Sequence, residues 1–511
     1  MIFSDSQFPP LSAWLIQRAS ALAMVDCNNG TTLAYADLAE AVRTLATFLK
    51  SAGAAPDDRV VIACENAIAA VTAMLAAWEI GLVPVPLPNL PSAEEQARIF
   101  DQCNVGSIIC DAAYAGQIVG QGGAAAELHI GDNRLALTVL DSRRRETADA
   151  PARDALALVI YTSGTTGGPK GVMLGARALT FAIQSMAQVV GASEGDRALI
   201  PLPGSHLYGI VATCYLLATG GVAFLADPAA SGPTLVDQML RHRIDALLLQ
   251  PHHVKAMLDE LVDAKHSGVR YVGCGSGGLS MAESRALHRH FPAARQYLYY
   301  ALSEAPRAVY VRDPYLLDSD EIPLGRPAQG MRLQIDGAAA DNRLGEIVIG
   351  GPAVAMGYIG EPAATGLQFQ GDAFRTGDLG EEVDGEIFYR GRAADLIVHG
   401  GVRMSPWAME RQLAHDLGKT AAVIGLAGAG KRETGPRAAD CLLVVLEGSL
   451  TPLEQRAAEN MAAPMANVLG LDLRVEVWPR LPRNKTGKIL RHRVLEEAAS
   501  SGPERGRIDV A

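Results

Sequence analysis

Apolar positions in the first part of the chain alternate between helical and strand-like spacing. Residues 35–52 and 67–80 carry apolar side chains at helical spacing, whereas 59–63 and 83–87 are short apolar runs typical of buried strands. A second series of strands is predicted, separated by segments of helical length, at 197–202, 222–226, 246–249 and 271–273. Alternating helices and strands favour parallel sheets that helices cover on both faces.

The pattern changes beyond residue 321 to short strands with glycine and proline turns, such as 331–335 and 345–349. It changes again near 391–396, where the strand pattern ends. The roughly 115 residues that remain are enough for a small separate domain. The sequence therefore predicts an α/β protein. Its N-terminal domain, 1–394, is expected to contain two parallel-rich αβ subdomains and a small β-barrel-like subdomain, and a small α+β C-terminal domain covers 395–511.

Composition narrows the class of protein. At 511 residues, 49% hydrophobic and 20% charged, the chain is typical of roughly two to four globular units. The net charge of −11 argues against a nucleic-acid binder. The seven cysteines include no Cys-x-x-Cys pair, which is typical of reduced thiols in the cytoplasm. The apolar stretch 67–83 is interrupted by Glu79, and the first residues lack a basic segment before an apolar one, so neither a membrane span nor a secretory signal is predicted.

The most informative segment is YTSGTTGGPKGVM at 161–173, which follows an apolar run. Its glycines allow close approach of backbone N–H groups to anionic oxygens, and its hydroxyls and Lys170 add donors and a positive charge. The segment predicts binding of a nucleoside triphosphate. It is not a P-loop, because Gly171 and Val172 follow the lysine. An ordinary surface turn is the alternative explanation for a short cluster of Ser, Thr and Gly, but this segment is longer and more strongly biased in composition.

Four later segments add charged and hydroxyl groups: YALSE at 300–304, FRTGDL at 374–379, GRAAD at 391–395 and LPRNKTGKILR at 481–491. Each alone has an ordinary explanation, since an aspartate in a glycine turn forms turns and a basic run is usually a solvated face. Together, in this order, they resemble the adenylate-forming superfamily of acyl- and aryl-CoA synthetases, luciferases and peptide-synthetase adenylation domains. The resemblance extends from near residue 10 to near residue 495. That family joins a carboxylic acid to ATP, releases pyrophosphate and usually passes the acyl group to a thiol.

The resemblance implies specific roles. The expected catalytic residues are Lys488, Glu304 and Arg392, with Glu304 ligating Mg²⁺ and Lys488 contacting the carboxylate and the α-phosphate. Asp378 would accept hydrogen bonds from the ribose hydroxyls, and Ser303 would assist at the α-phosphate. The expected ATP-binding set is Thr162, Ser163, Gly164, Thr165, Thr166, Gly167, Lys170, Gly275, Ser276, Gly277, Tyr300, Ser303, Asp378, Arg392 and Lys488.

The resemblance also implies motion of the C-terminal domain, which acts in that family as a mobile lid. The hinge corresponds to Asp395, and Gly400 and Gly401 would line a tunnel for the thiol. Two residues depart from the family pattern, because Ala301 replaces a usual glycine and Ser303 a usual threonine. The segment 397–400 lacks the lysine that many relatives carry there.

The acid substrate is predicted to be other than an amino acid, because PLPGSHLYG at 201–209 resembles the His-containing segment of acyl- and aryl-CoA synthetases. The expected acyl pocket contains His206, Tyr208, Gly275 and Ala301. His206 and Tyr208 either line that pocket or are packed structural residues. The expected acceptor is coenzyme A, since 400–406 resembles CoA ligases.

Two alternatives stay open at this point. One is an adenylation enzyme that loads the phosphopantetheine of a separate carrier protein, and the other is a non-catalytic nucleotide-binding regulatory protein. The presence of Glu304, Asp378, Arg392 and Lys488 together argues against the second. The sequence is compatible with a monomer or a homodimer.

Overall fold

The structure is a computed structural model, and it describes residues 18–65, 67–87, 90–111, 114, 117–118, 125–130, 133–139, 155–162, 169–261, 268–275, 278–337, 344–400, 402–426, 441–483 and 489–500. For 125–130 and 133–139 it describes the backbone. The described residues form two compact units. The first comprises those within 18–334 and 348–375, and the second those within 335–347 and 376–500. The domain boundary expected at 394/395 stays a prediction.

The first part of the chain builds a mixed sheet with helices between its strands. The elements in chain order are β1 (Leu22–Asp26), β2 (Thr32–Ala34), α1 (Tyr35–Ser51), β3 (Arg59–Ala63), α2 (Ala67–Glu79), β4 (Val83–Pro86), α3 (Ala93–Cys103), β5 (Val105–Asp111), β6 (Ala125–Ile130) and β7 (Asn133–Val139). The five-stranded sheet has the order β4-β3-β5-β7-β6. The pairs of β3 with β4 and β5 are parallel, and β7 pairs with β5 and β6 antiparallel.

The next part of the chain completes a larger sheet. Its elements are β8 (Leu156–Thr162), β9 (Lys170–Gly175), α4 (Ala176–Val190), β10 (Arg197–Ile200), α5 (Leu207–Thr219), β11 (Val222–Leu225), α6 (Gly232–Arg241), β12 (Ala246–Leu249), α7 (Pro251–Glu260), β13 (Tyr271–Gly275), α8 (Met281–His290), β14 (Arg295–Leu302), β15 (Ala305–Arg312) and β16 (Arg326–Pro327). The nine-stranded sheet has the order β16-β15-β14-β13-β12-β10-β11-β1-β2. Its strands from β14 to β1 run parallel, and antiparallel strands lie at both edges.

Two helices of the first unit are buried on every side. In α2 every residue from Ile68 to Trp78 is buried, and in α5 only Cys214 and Thr219 are partly exposed. A helix that is apolar all round lies inside a core, in contrast to an amphipathic surface helix. The same core contains Val60 and Ile62 of the five-stranded sheet, and Ala198 and Leu248 of the nine-stranded sheet. These helices therefore share one core with both sheets.

The chain then enters its strand-rich part. Its elements are β17 (Arg332–Asp336), β18 (Leu344–Gly350), β19 (Gly357–Tyr358), α9 (Pro362–Gln368), β20 (Phe369–Gln370), β21 (Ala373–Val383), β22 (Glu386–Arg392), β23 (Ile397–His399) and β24 (Val402–Met404). A five-stranded sheet has the order β17-β18-β21-β20, with β22 also paired to β21. β19 joins β9 and β8 in a three-stranded sheet, and β23 pairs with β24.

The last part of the chain is a small sheet with helices on both faces. Its elements are α10 (Trp407–Leu417), β25 (Ala421–Leu426), β26 (Cys441–Glu447), α11 (Pro452–Leu469), β27 (Asp472–Trp478) and α12 (Arg491–Ser500). Alternate residues of β26 face opposite sides, as a strand requires. Leu442 and Val444 lie in a cluster with residues of α10 and α11, whereas Leu443 and Val445 lie in a cluster with residues of α12.

The α/β fold class predicted from the apolar pattern is confirmed. The strands predicted at 59–63 and 246–249 have those bounds in the structure. The strand predicted at 197–202 ends at Ile200, because Pro201 and Pro203 follow and proline lacks the backbone N–H that a sheet needs. No helix among the described residues is long and apolar enough to cross a membrane.

One buried histidine makes the stability of the first unit depend on pH. His253, which is 1% exposed, accepts a hydrogen bond at Nδ1 from the Gln250 N–H over 3.2 Å, so Nε2 carries the proton and donates to the Pro228 carbonyl at 2.9 Å. Burial lowers the pKa of His253 to about 4, and the Pro228 hydrogen bond opposes that shift. The neutral imidazole is thus the form that the fold stabilises.

The proton linkage of His253 alone is therefore expected to lower the free energy of unfolding by about 3 kcal/mol as the pH decreases from about 6.5 to about 4, because the unfolded histidine binds a proton over that range and the folded one does not. Urea unfolding measured across this range checks the prediction. His253→Asn is expected to have a flatter profile, since its amide oxygen accepts from Gln250 and does not titrate. His415, whose side chain is 87% exposed, gives the control variant His415→Asn. Parallel profiles for wild type and His253→Asn would contradict the assignment.

Candidate active site

Glu304 lies at the tip of a tight hairpin. Leu302, the last residue of β14, pairs with Ala305, the first residue of β15, so Ser303 and Glu304 form a two-residue turn. A short turn of this kind fixes the direction in which the carboxylate leaves the sheet. The expected metal ligand therefore has a well-defined position at the end of the nine-stranded sheet.

Tyr358 connects Glu304 with Lys170. Its hydroxyl donates to Glu304 Oε1 at 2.9 Å, and Lys170 Nζ lies 5.0 Å from the centre of its ring. The ring is 4% exposed, so it is a fixed part of the interior. Lys170 and Glu304, which lie more than a hundred residues apart in sequence, thus contact the face and the hydroxyl of one tyrosine.

The backbone around Tyr358 is built for close packing. Gly357 has φ +138°, and a Cβ there would lie 2.4 Å from Thr365 Cγ2 on α9. The Tyr358 N–H donates to Thr365 Oγ1 at 2.9 Å. Only glycine fits at 357, because both the backbone angle and the space exclude a side chain. Sequence reasoning missed Tyr358, and the Gly-Tyr pair that precedes α9 was the available signal.

The two ends of the predicted phosphate-binding segment lie side by side. Thr162 ends β8, Lys170 begins β9, and the two residues pair directly across the strands. Residues 163–168, which include Ser163, Gly164, Thr165, Thr166 and Gly167, lie outside the described residues. Their predicted roles stay predictions.

Three of the residues predicted for the acyl pocket lie together. His206 precedes α5 and accepts at Nδ1 from the Tyr208 N–H at 3.3 Å. The Tyr208 hydroxyl donates to the Gly273 carbonyl at 3.0 Å, and a Cβ at Gly275 would lie 3.1 Å from Tyr208 Cε1. The tyrosine ring therefore lies against β13 where that strand carries glycines.

Ala301, the fourth predicted pocket residue, lies on the neighbouring strand. Gly275 pairs with Tyr299 of β14, and Ala301 follows two residues later. Tyr300 lies between them and is partly buried. Ser276 and Gly277 lie outside the described residues. The structure thus places Ala301 near the group formed by Gly275 and Tyr208, at the same end of the sheet as Glu304.

The surroundings of His206 keep it neutral. Burial, together with the smaller effect of the positive charge of Arg307, lowers the pKa of His206 to about 4. The side chain nevertheless retains some accessible surface, which is typical of a residue that lines an internal recess. Arg307 was not singled out from the sequence, and it contacts Tyr208 directly, with its guanidinium carbon 4.0 Å from the ring centre.

The second unit contains a preformed pair of Asp378 and Arg392. The two residues face each other across β21 and β22, and Arg392 Nε donates to Asp378 Oδ1 at 2.6 Å. The Asp378 N–H donates to Thr376 Oγ1 at 3.0 Å, and that hydroxyl donates to the Ile347 carbonyl at 2.8 Å. The aspartate side chain is 5% exposed. The guanidinium of Arg392 thus orients the carboxylate, and the Thr376 hydroxyl fixes the backbone that carries it.

Asp395 is bound into a cluster of charges in the same unit. Its Oδ2 lies 3.2 Å from Arg491 Nε, and Arg491 Nη2 also donates to both oxygens of Glu410 at 2.7 and 2.6 Å. Gly400, at φ +56°, lies in the turn between β23 and β24. Gly401 and Lys488 lie outside the described residues, so the tunnel and the catalytic lysine stay predictions.

The described residues offer one carboxylate at the predicted metal position. No group of three or more His, Cys, Asp or Glu side chains among them could hold a metal ion. A single carboxylate suits Mg²⁺ when phosphate oxygens and water supply the other ligands, because this ion usually keeps few protein ligands. Glu304 therefore fits a magnesium ion that arrives with a nucleotide.

Comparison with known proteins identifies a family and its fold. The model of the AMP-binding enzyme family matches residues 12–359. A feruloyl-CoA synthase from Amycolatopsis sp is 28% identical over 500 residues, which cover 95% of this chain and 98% of that protein. Both comparisons extend over most of the sequence.

Two groups of solved structures share the fold. ATP-bound MatB from Rhodopseudomonas palustris has a TM-score of 0.79 at 24% identity and covers 96% of this chain and 98% of its own. The o-succinylbenzoate CoA synthetase MenE from Bacillus subtilis, solved with its acyl-adenylate intermediate, has a TM-score of 0.77 at 22% identity and covers 97% and 99%. The same enzyme with ATP and magnesium has a TM-score of 0.76 at 22% identity and covers 94% and 99%.

Proposed function

This chain belongs to the AMP-binding enzyme family, and from that premise we propose that it is an acyl- or aryl-CoA ligase. It joins a carboxylic acid to ATP, releases pyrophosphate and transfers the acyl group to the thiol of coenzyme A. The observation that carries this proposal is the contact of Tyr358 with both Glu304 and Lys170. A carboxylate suited to a metal ion and a cation suited to phosphate thus lie around one buried ring, which supports the proposal.

The first unit would hold the polyphosphate. Lys170 attracts phosphate oxygens, and the Tyr358 hydroxyl keeps Glu304 aligned without removing its charge, because a hydroxyl donates to the anionic form. Magnesium bound at Glu304 would neutralise charge on the phosphates and so favour attack by the substrate carboxylate. The tight turn at Ser303 and Glu304 supports this function, because the Glu304 carboxylate does not need to be reoriented when magnesium and the nucleotide bind.

The second unit would hold the nucleoside. Asp378 can accept hydrogen bonds from two ribose hydroxyls, because a carboxylate has acceptor sites on both of its oxygens. Arg392 fixes the orientation of that carboxylate through Oδ1. The resemblance in sequence also implies that Arg392 supplies positive charge near the ribose and phosphate of the nucleotide.

Coenzyme A is the proposed acceptor. Coenzyme A appears in the names of the feruloyl-CoA synthase and of the CoA synthetase MenE. The chain covers nearly the whole length of both proteins. The residues 400–406 resemble the corresponding segment of CoA ligases. The phosphopantetheine of a separate carrier protein has the same reactive thiol and is the alternative acceptor.

Exchange of labelled pyrophosphate into ATP tests the proposal. We expect exchange that depends on a carboxylic acid and on Mg²⁺, measured across aliphatic, aryl and amino acids. Addition of coenzyme A to the active acid should then give a thioester of the expected mass. Exchange without a thioester would favour a carrier protein as acceptor, and the absence of exchange with every acid would favour a nucleotide-binding regulatory protein.

A further inference from the structure

Arg307 is a buried cation at the predicted acyl pocket. The residue is 4% exposed, and its guanidinium carbon lies 4.0 Å from the ring centre of Tyr208 and 4.1 Å from that of Tyr299. The guanidinium is therefore held between two tyrosine faces. Such contacts stabilise a cation that has left water. They also fix the side chain in one position.

Two donors in this group have no hydrogen-bond partner among the described residues. Arg307 Nη2 and Tyr299 Oη are both buried and make no hydrogen bond within the described part of the chain. No carboxylate of the described residues pairs with Arg307, and the nearby His206 is neutral over most of the physiological range. Because an arginine stays charged when buried, an unpaired guanidinium is costly unless an anion joins it. The missing partner is thus an anion.

The backbone at Arg307 is also unusual. Its φ is +55°, a left-handed value that is uncommon for residues other than glycine. Tyr300 pairs with Val309 and Leu302 with Ala305, so three residues of β15, with Arg307 in the middle, lie opposite the single residue Ala301 of β14. A bulge of this kind turns a side chain to a new direction and is common next to functional sites. Here it lies opposite a residue predicted to line the acyl pocket.

We propose that Arg307, with Tyr299, binds a second carboxylate of the acid substrate, so that the protein activates dicarboxylic acids. This inference rests on the proposed ligase activity and specifies the substrate class of that site. One carboxylate of the acid reacts with ATP near Glu304, and the other accepts hydrogen bonds from Arg307 Nη2 and Tyr299 Oη. No bond forms or breaks at Arg307, which acts only in recognition.

Acid-dependent pyrophosphate exchange on the wild-type protein gives the first test. It compares diacids with monoacids of matched length: succinate with butyrate, adipate with hexanoate, and terephthalate with 4-methylbenzoate. A site built around a charged group rejects analogues that lack it, so we expect at least one diacid to be preferred over its monoacid by about a hundred-fold or more in kcat/KM. Preference for the monoacid in every pair would overturn the inference while leaving the ligase function intact. Exchange with no acid would instead overturn the ligase function.

Variants at Arg307 give the second test. Arg307→Leu is expected to lower the diacid-to-monoacid ratio of kcat/KM by about ten- to a hundred-fold, mostly through KM for the diacid. Arg307→Lys should keep part of the preference, because it retains the charge but not the planar donors. Arg312→Leu, on the same strand and 53% exposed, is the matched control and should leave the ratio unchanged.

Equal losses for both acids of a pair in Arg307→Leu would overturn the inference, because they would mean that Arg307 contacts the reacting carboxylate or supports the fold. Analogues of the preferred diacid that carry a sulfonate in place of the second carboxylate test the shape of the site. They distinguish a site that binds any anion from one that is specific for a carboxylate. Loss of activity with those analogues supports the carboxylate. Preference for the sulfonate over the carboxylate would contradict the dicarboxylic assignment.

Discussion

Replacement of Lys488 by alanine is expected to slow adenylation by about a hundred- to a thousand-fold, the usual effect of removing one donor that stabilises developing charge. Attack of a carboxylate on a polyphosphate brings two anions together. A cation placed where they meet stabilises the transition state more than the separated reactants. The expected loss therefore lies in kcat.

The described residues on either side of Lys488 are held in place. Arg483 and Ile489 form an antiparallel bridge, and Arg483 Nη2 donates to Glu447 Oε2 at 2.6 Å. The alanine variant should thus keep its fold, and thermal unfolding will verify this. Pyrophosphate exchange measures the effect, and Lys485→Ala is the control, because it removes an equal charge three residues earlier. Exchange by Lys488→Ala at the wild-type rate would remove this lysine from the mechanism.

Arg491→Leu is expected to destabilise the second unit by about 3 kcal/mol, because it leaves a buried carboxylate without its cation. Glu410 is 16% exposed and receives two hydrogen bonds from Arg491, whose Nη1 also donates to the Val423 carbonyl at 3.0 Å. Burial raises the pKa of Glu410, and the charge of Arg491 opposes that shift. Without the arginine, Glu410 must either stay charged at a high cost or take up a proton.

A double variant separates the charge from the packing. Glu410→Gln keeps an oxygen that accepts from the Val423 N–H, a bond of 2.8 Å in the wild type, but removes the unpaired charge. Arg491→Leu combined with Glu410→Gln should therefore recover about 1 kcal/mol or more relative to Arg491→Leu alone. Urea unfolding and hydrogen exchange of the β26 amides provide the measurements.

Arg493→Leu is the control for these variants. Arg493 lies on the same helix, is 62% exposed and faces Glu496 at 3.9 Å, so its loss should change stability by less than about 0.5 kcal/mol. If Arg491→Leu is no more destabilising than this control, the cluster of Asp395, Arg491 and Glu410 does not stabilise the unit. The hinge role predicted for Asp395 would then have to be tested without reference to this ion pair.

Local sequence predicted the buried strands and the motif residues of the candidate site, because both appear as short, distinctive segments. Buried strands such as 59–63 appear as unbroken apolar runs, and Asp378 and Arg392 belong to motifs with glycine nearby. Their direct pairing was not predictable, because it depends on the register of β21 against β22 across a turn. A shift of one residue in that register would place the two side chains on opposite faces.

Two residues of the site, Tyr358 and Arg307, were not singled out from the sequence, although a Gly-Tyr pair precedes α9. Tyr358 reaches Glu304 only because β19 pairs with β9, which lies about 180 residues earlier in the sequence. Arg307 follows a hairpin turn and looks in the sequence like a single basic residue within an apolar strand. The pattern of apolar residues does not predict a bulge that sets three residues opposite one. Contacts set by long-range pairing are the part of the site that local sequence does not show.

The bulge at Arg307 has a consequence for protein engineering. Stability design replaces residues at positive φ by glycine, and it replaces buried charged residues that have no partner by apolar ones. Both criteria apply to Arg307, at φ +55° and 4% exposure. A chain optimised for stability would therefore lose this arginine early, and it would be a poorer guide to the natural substrate than the original sequence.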